Sequence, residues 1–305
     1  MNHAFNKTMI DAMEGLAGRH PGYRRAHARG FILDAVFKPN GAAAPLTTAP
    51  HLQRESVPAV VRFSHTSGDP SAPDAAPTVR GLAVKFLIPG SGEADIVAVN
   101  VPAFVASTPP NFLELVERLT DAGPERQAAV AAFVSAHPES MRAFTFASAI
   151  AIPVSYATSQ FWATHSFGWV GPGGERRFVR YTWEPALGVQ TVEPAVAISW
   201  TPTHHTEELL ERLKSGPVRF TLRVQFAGPG DPIDDSTQLW PEDRPQLDVG
   251  TLEITHPSAD AAAWDATTFD PTRVGPGIEV SADPVLLARS ALYDESQARR
   301  RRERQ

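Results

Sequence analysis

Apolar and polar residues alternate along several stretches of the chain. Residues 59–64 (AVVRFS), 78–88 (TVRGLAVKFLI), 95–101 (DIVAVNV) and 217–226 (PVRFTLRVQF) repeat at period two, the spacing of a strand with one covered face. Residues 24–37 (RRAHARGFILDAVF) mix alternation with β-branched and aromatic side chains and read as one strand. Residues 164–170 and 176–181 flank GPGGE, a hairpin signal. Residues 246–255 give a shorter strand and 190–198 a weaker one. Helical spacing takes over elsewhere. Phe5, Met9, Met13 and Leu16 share a face of a short helix ending near Gly18, and residues 111–120, 125–136, 139–146 and 206–214 carry the same period. A short helix is expected around Ala261. The last helix, residues 283–302, has a marked start: Asp283 is a good N-cap and Pro284 a good first residue. Turns and irregular loops fill 41–50, 68–77, 89–94, 103–108 and 269–278. Antiparallel-looking strands with a helical insertion predict one barrel-like α+β domain over residues 1–305, with an N-terminal helix within residues 1–20.

Composition narrows the function classes. A chain of 305 residues, 42% hydrophobic, is long enough for a substantial core. The net charge of −6 argues against wholesale nucleic-acid binding. With Cys 0, disulfides, thiolate zinc sites, iron–sulfur clusters and a thiolate-ligated haem are excluded. The first twenty residues have no apolar core after a basic start, and no stretch approaches the length of a membrane span. A cytoplasmic location, with no membrane and no nucleic-acid partner, is therefore expected.

Three side chains of the last helix change the picture. Arg289 and Tyr293 are four apart and share a face, and Arg300, seven beyond Tyr293, returns to it. A phenol is a poor metal ligand at neutral pH, and a guanidinium beside it favours the phenolate. A second arginine on that face suits an anionic ligand group. Tyrosinate on haem iron, with propionates held by arginines, would use all three. The same spacing equally fits an aromatic packed on an aliphatic face beside solvated arginines. Three further signals have plain readings. His204, His205, Glu207 and Glu208 fit a solvated first helical turn rather than a metal site. RRRRER at residues 299–304 fits a solvated helix end rather than a nucleic-acid or membrane tail, with Arg300 turned toward haem. The glycines at 171–174 form a turn, not a phosphate loop.

Six blocks in order resemble the haem catalases, and in particular the small catalase-related peroxidases. They are RRAHARGF (24–31), VRFSHTSGDPSAPDAAPTVRGLAVKF (61–86), DIVAVNVPAF (95–104), THSFGWV (164–170), QLWPEDRPQLDVGTLEI (238–254) and FDPTRVGPGIEVSADPVLLARSALY (269–293). The resemblance runs over roughly residues 20–300. It implies an eight-stranded antiparallel β-barrel with flanking helices, without the long N-terminal arm or extra C-terminal domain of full-size catalases. It implies haem b as cofactor, Tyr293 as iron ligand and Arg289 as the partner that stabilises its phenolate. His27 becomes the distal acid–base residue and Ser64 its support. Arg24, Arg62 and Arg300 match propionate-binding positions. Phe112 matches the phenylalanine over the distal haem face, and His165 and Phe269 match proximal positions beside the porphyrin.

One position departs from that family. Catalases carry an asparagine where this chain has Val99, and Asn100 matches the next residue. Valine cannot donate a hydrogen bond, so peroxide is held less well beside His27 and the pocket is more apolar. Oxidising a second hydrogen peroxide needs a well-aligned small polar substrate and suffers most. The expected activity is therefore reduction of organic hydroperoxides and hydrogen peroxide by small organic electron donors, with weak catalase activity, in a homo-oligomer expected to be a dimer. The rivals are a true catalase, a haem isomerase of fatty-acid hydroperoxides and a haem-binding protein without enzymatic function.

Overall fold

A strand with apolar residues on alternate positions must cover one face, and here the covered face is the inside of a closed wall. The computed structural model describes residues 3–304. Its elements, in chain order, are α1 (His3–Ala17), β1 (Gly30–Pro39), β2 (Val57–His65), β3 (Arg80–Ile88), β4 (Gly92–Val99), α2 (Pro109–Arg118), α3 (Gly123–Ala136), α4 (Met141–Ser148) and β5 (Ile152–Pro153). They continue with β6 (Phe161–Val170), β7 (Arg176–Pro185), β8 (Thr191–Val192), α5 (Pro194–Ala197), α6 (His204–Leu213), β9 (Val218–Phe226), β10 (Gln246–Pro257), α7 (Ala261–Ala266), β11 (Ile278–Val280) and α8 (Pro284–Glu303). The first two positions of the expected N-terminal helix, and residue 305, lie outside the described residues.

The antiparallel strands run β6-β4-β3-β2-β1-β10-β9-β7, and β7 pairs back onto β6 to close an eight-stranded barrel. Strand β11 pairs with β6 over residues 167–169, beyond the point where β4 pairs at Trp162. Period two places Val61 and Phe63 of β2, Leu82, Val84 and Phe86 of β3, Tyr181 and Trp183 of β7, and Phe220 and Leu222 of β9 in the shared core. The largest buried groups are aromatic, and their polar atoms find partners where they can: Trp169 Nε1 donates to Tyr181 Oη at 2.7 Å inside the barrel. The helices stay outside the barrel wall. Helix α1 packs on α8 and α2, and Thr108 caps α2 by accepting from Asn111 N.

Two expected elements come out differently. The strand read over residues 24–37 begins only at Gly30. Residues 24–29 form a loop in which His27 has φ +53°, a left-handed conformation that no strand contains. Alternation continues through those residues, but their backbone bonds go to Thr66 and Ser67 instead of a ladder. The weak strand over 190–198 reduces to β8 and the single turn α5, because Pro194 supplies a helix start and no ladder donor. The remaining long strands and helices fall where the pattern puts them, with ends shifted by a few residues; β4, for instance, starts at Gly92.

Candidate functional site

The outer face of strands β1 to β4 carries the sequence-predicted residues, and it does not look like a solvent face. Arg62 and Ser64 point away from the core, yet Arg62 is 4% and Ser64 5% exposed. In the next ladders Gly81 lies opposite both Ser64 and Val99, and Ala83 lies opposite Val97. Ala83, Val97 and Val99 are half-buried, so small apolar side chains line this face. Phe269 packs against it with Ile32, Val60, Ala83 and Val97. The ammonium of Lys85 stands 5.3 Å above the Phe269 ring, held by Asp95 and Glu93.

His27 sits over Gly81. Its Nδ1 is 2.9 Å from Ser64 Oγ. A Cβ on Gly81 would come within 2.6 Å of Ser64 Oγ and 3.0 Å of the His27 ring, so only glycine leaves room for the pair. The left-handed backbone at His27 costs on the order of 1–3 kcal/mol. It is kept in place by His27 N donating to Thr66 O and Ala28 N to Ser67 O, both at 3.0 Å. The next turn of the loop is tied to the helices. Arg25 Nη2 donates to Glu303 Oε1 at 2.7 Å and Arg25 Nε to Glu14 Oε1 at 2.6 Å, joining α1, the loop and the end of α8. Burial works against the Glu303 charge, but the bonds from Arg25, Gly22 N and Arg19 together outweigh it and hold the carboxyl down to about 2.

Burial, then the charges of Arg62, Arg289, His65 and Arg24, push the His27 imidazole down to about 3. It is neutral at physiological pH and can accept a proton. The Arg25–Glu303 bond, and Arg300 donating to Asp265 O beside Arg62, bring α8 to this face of the barrel. On α8, Arg289 donates to Tyr293 Oη through Nε at 2.9 Å and again through Nη2. The spacing of four residues on a helix produces this clasp directly.

The arginines form a second group. Arg62 Nε donates to Asp265 Oδ1 at 3.0 Å and Nη2 to His27 O at 3.0 Å. Arg24 donates to the same Asp265 Oδ1 and, through Nη2, to Thr267 O at 2.9 Å. Arg300, only 3% exposed, donates through Nη1 to Asp265 O at 3.0 Å, while its buried Nε has no partner. Gly30 lets Arg62 lie flat on the backbone: a Cβ there would be 2.1 Å from its Cζ.

On the other side of α8, His165 Nδ1 lies 2.7 Å from Asp283 Oδ2. The other oxygen of Asp283 accepts from Val285 N at 2.8 Å and caps the helix. Burial opposes the Asp283 charge, but His165 and the Val285 and Leu286 N–H groups together outweigh it and lower its pKa. Burial dominates at His165 and keeps the imidazole neutral, so Nδ1–H donates and Nε2 is a buried lone pair without a partner. Phe104 joins the groups: its ring centroid is 5.3 Å from Phe112 and 6.2 Å from His165.

The structure thus gathers His27, Ser64, Val99, Arg24, Arg62, Arg289, Tyr293, Arg300 and Phe269 about one face, with Phe112 and His165 linked through Phe104. Sequence reasoning missed Gly81 and Asp265, and saw Asp283 only as a cap. The reading of His205 as part of a solvated turn is also corrected. The side chain is fully buried, its backbone N donates to Asp74 Oδ2 at 2.9 Å, and its Nε2 bonds Pro153 O. No group of His, Cys, Asp or Glu among the described residues could hold a metal ion, and no helix among them is long and apolar enough to cross a membrane. The residue 299–304 run is less solvated than expected. Arg299 donates to Glu295, Asp11 and Glu14, leaving Arg300 to the site.

Comparison with known proteins places this geometry. The family model described as Catalase matches residues 6–303. The chain is 39% identical to a catalase-related peroxidase of Mycolicibacterium paratuberculosis over 94% of this chain and 92% of the relative. It is 31% identical to a catalase-related peroxidase of Synechococcus elongatus, over 96% and 88%. Against Catalase-2 of Bacillus subtilis the identity is 31%, over 90% of this chain and 43% of that protein. Among solved structures, a bacterial catalase superposes with a TM-score of 0.82 at 23% identity, over 96% of this chain and 60% of that one.

Proposed function

The chain belongs to the catalase family, and from that premise we propose that it is a haem b peroxidase, reducing organic hydroperoxides and hydrogen peroxide with small organic electron donors and releasing little oxygen. Proteins of the family are oxidoreductases acting on peroxide, and they bind haem. The residues present fit that group. A porphyrin needs apolar surface against its faces and cations at its carboxylate edge. Val97, Val99, Ala83 and Phe269 offer the first. Arg24, Arg62 and Arg300 offer the second, with the buried Arg300 Nε still lacking an acceptor.

The observation that carries the proposal is the meeting of two paired groups, Tyr293 with Arg289 on α8 and His27 with Ser64 at the loop that Arg25 ties to α8. Tyr293 Oη would ligate the iron. Two guanidinium N–H groups of Arg289 donate to that one phenol oxygen and fix its position. Bound haem would supply the two-electron reduction of the peroxide O–O bond. His27, with Nδ1–H turned to Ser64 Oγ, has Nε2 free to take the hydroperoxide proton and return it to the departing oxygen. Val99, beside Gly81 under that imidazole, offers no N–H to align a second hydrogen peroxide. Hence a donor, rather than a second peroxide, is the better reductant.

The test is a haem spectrum with an activity panel. The wild-type protein should carry a tyrosinate-haem spectrum and turn over an alkyl hydroperoxide only when a small aromatic donor is present. Tyr293→Phe should lose that spectrum. Oxygen release from hydrogen peroxide that outruns donor oxidation would make the protein a true catalase. Rearrangement of a lipid hydroperoxide without donor would make it an isomerase. An unchanged spectrum in Tyr293→Phe would remove the ligand assignment.

A further inference from the structure

Asp265 lies at the centre of the arginine group and has no part in the reading above. It stands on α7, a short helix with no buried residue, between alanines and Trp264. Its Oδ1 accepts from both Arg24 and Arg62, its backbone carbonyl accepts from Arg300, and Arg304 lies 3.8 Å from Oδ2 at the exposed rim. Burial raises the cost of its charge, and Arg24 and Arg62 more than offset that. Burial, then Arg24 and to a smaller extent Arg300, push Arg62 down to about 9, and Asp265 works against them. Three guanidiniums this close repel one another unless an anion sits among them.

We propose that Asp265 is a positioning residue that gathers Arg24, Arg62 and Arg300 into a site with two net positive charges, matched to a ligand edge bearing two carboxylates. Three buried or half-buried arginines less one aspartate leave that charge, with Arg304, 46% exposed at the rim, outside the count. The hydrogen-bond directions support positioning over competition. Arg62 spends Nε on Asp265 and Nη2 on His27 O and Ala28 O, which leaves Nη1 to give. Arg24 spends Nη1 and Nη2, which leaves Nε. Arg300 spends Nη1 alone. Each keeps a donor for the ligand without releasing the aspartate, so Asp265 braces the fork and need not be displaced. A fixed fork loses less freedom on binding a carboxylate than three mobile side chains would.

The inference rests on the haem reading, and its test separates the two. Holoprotein is mixed with an excess of apomyoglobin, and the rate of haem transfer is read by absorbance. Asp265→Ala should lose haem faster by on the order of tenfold, the value of about one charge-assisted hydrogen bond. Asp265→Asn, which keeps the side-chain volume, should shift in the same direction by less, and Asp265→Glu should recover most of the wild-type rate. With the dimethyl ester of the same porphyrin, which presents no carboxylate, wild type and Asp265→Ala should release at the same rate. Slower haem loss from Asp265→Ala would mean the aspartate competes with the ligand, and the proposal would fail. Equal acceleration with the ester would mean that α7 had merely loosened, and would also overturn it. A wild-type chain that retains neither porphyrin would overturn the haem reading and this inference with it.

Discussion

Two stretches of the same barrel wall present outward-facing arginines to opposite fates. On β9 and β10, Arg219 donates to Glu253 at 2.9 Å and Arg223 to Asp248 at 2.6 Å, with Lys38 completing the row. The cations and Asp248 reach solvent, Arg219 at 49% exposed, although Glu253 is only 18% exposed. Such pairs are screened by water and are typically worth only about 0–1 kcal/mol. On β2, Arg62 occupies the same kind of outward position and is buried, beside a serine, a strained histidine and a carboxylate from α7. A strand that buries polar residues on its second face has something other than solvent to put there. The difference between the walls therefore marks the site before any chemistry is assigned.

The largest expected effect tests the buried wall. His27→Ala should retain haem but lose about 10²–10⁴-fold in reduction of a hydroperoxide, the usual value of a positioned acid–base group. Rapid-mixing traces with undiminished peroxide consumption would remove His27 from the chemistry. The same variant has a stability signature. The folded chain holds His27 near 3, against 6.5 for an ordinary imidazole, so between those values the unfolded chain binds the extra proton. This position therefore costs the fold nothing above about pH 6.5, and stability falls as pH drops below it, by up to about 1.4 kcal/mol per unit. Denaturant curves for His27→Ala should lack that share of the acid slope; identical slopes would show that the imidazole titrates normally.

An intermediate effect is expected at Val99. An asparagine amide there would add one N–H near the peroxide, and a neutral hydrogen bond is worth about 0.5–1.5 kcal/mol. Val99→Asn should raise oxygen release from hydrogen peroxide by up to roughly tenfold, with no equal gain for a bulky hydroperoxide. Parallel changes in oxygen release and donor oxidation, at matched haem content, would show that position 99 does not set their balance. The smallest effect belongs to the exposed wall. Arg219→Ala should change stability by no more than about 0.5 kcal/mol and leave the haem spectrum alone. A loss comparable to that of a buried-wall variant would erase the contrast between the two walls.

What was legible in the sequence divides along the same line. The barrel strands announce themselves because alternation is local, and so does the Arg289–Tyr293 clasp, since four residues on a helix fix the contact. The cap at Asp283 was equally plain, but its second bond, to His165, joins residues 118 apart and has no local signature. Asp265 was hidden for the same reason: it is one acid in a short alanine-rich stretch, and its meaning lies in arginines from three other segments. Gly81 and Gly30 carry their information as space for a neighbour. The positive φ of His27 contradicts the alternation of residues 24–37, which is why a strand was read where a loop holds the imidazole.

The ladder between β4 and β6 consists of Val99 opposite Trp162, where other neighbours in the ring run for seven or eight pairs. A closed cylinder joined by so brief a stretch has a preferred line along which to breathe, because few amide bonds must part there at once. Val99 is half of that fastening. Its backbone pairs across the seam while its side chain lies on the outer face opposite Gly81. One position thus belongs at once to the fastening of the cylinder and to the face that carries His27 and Arg62.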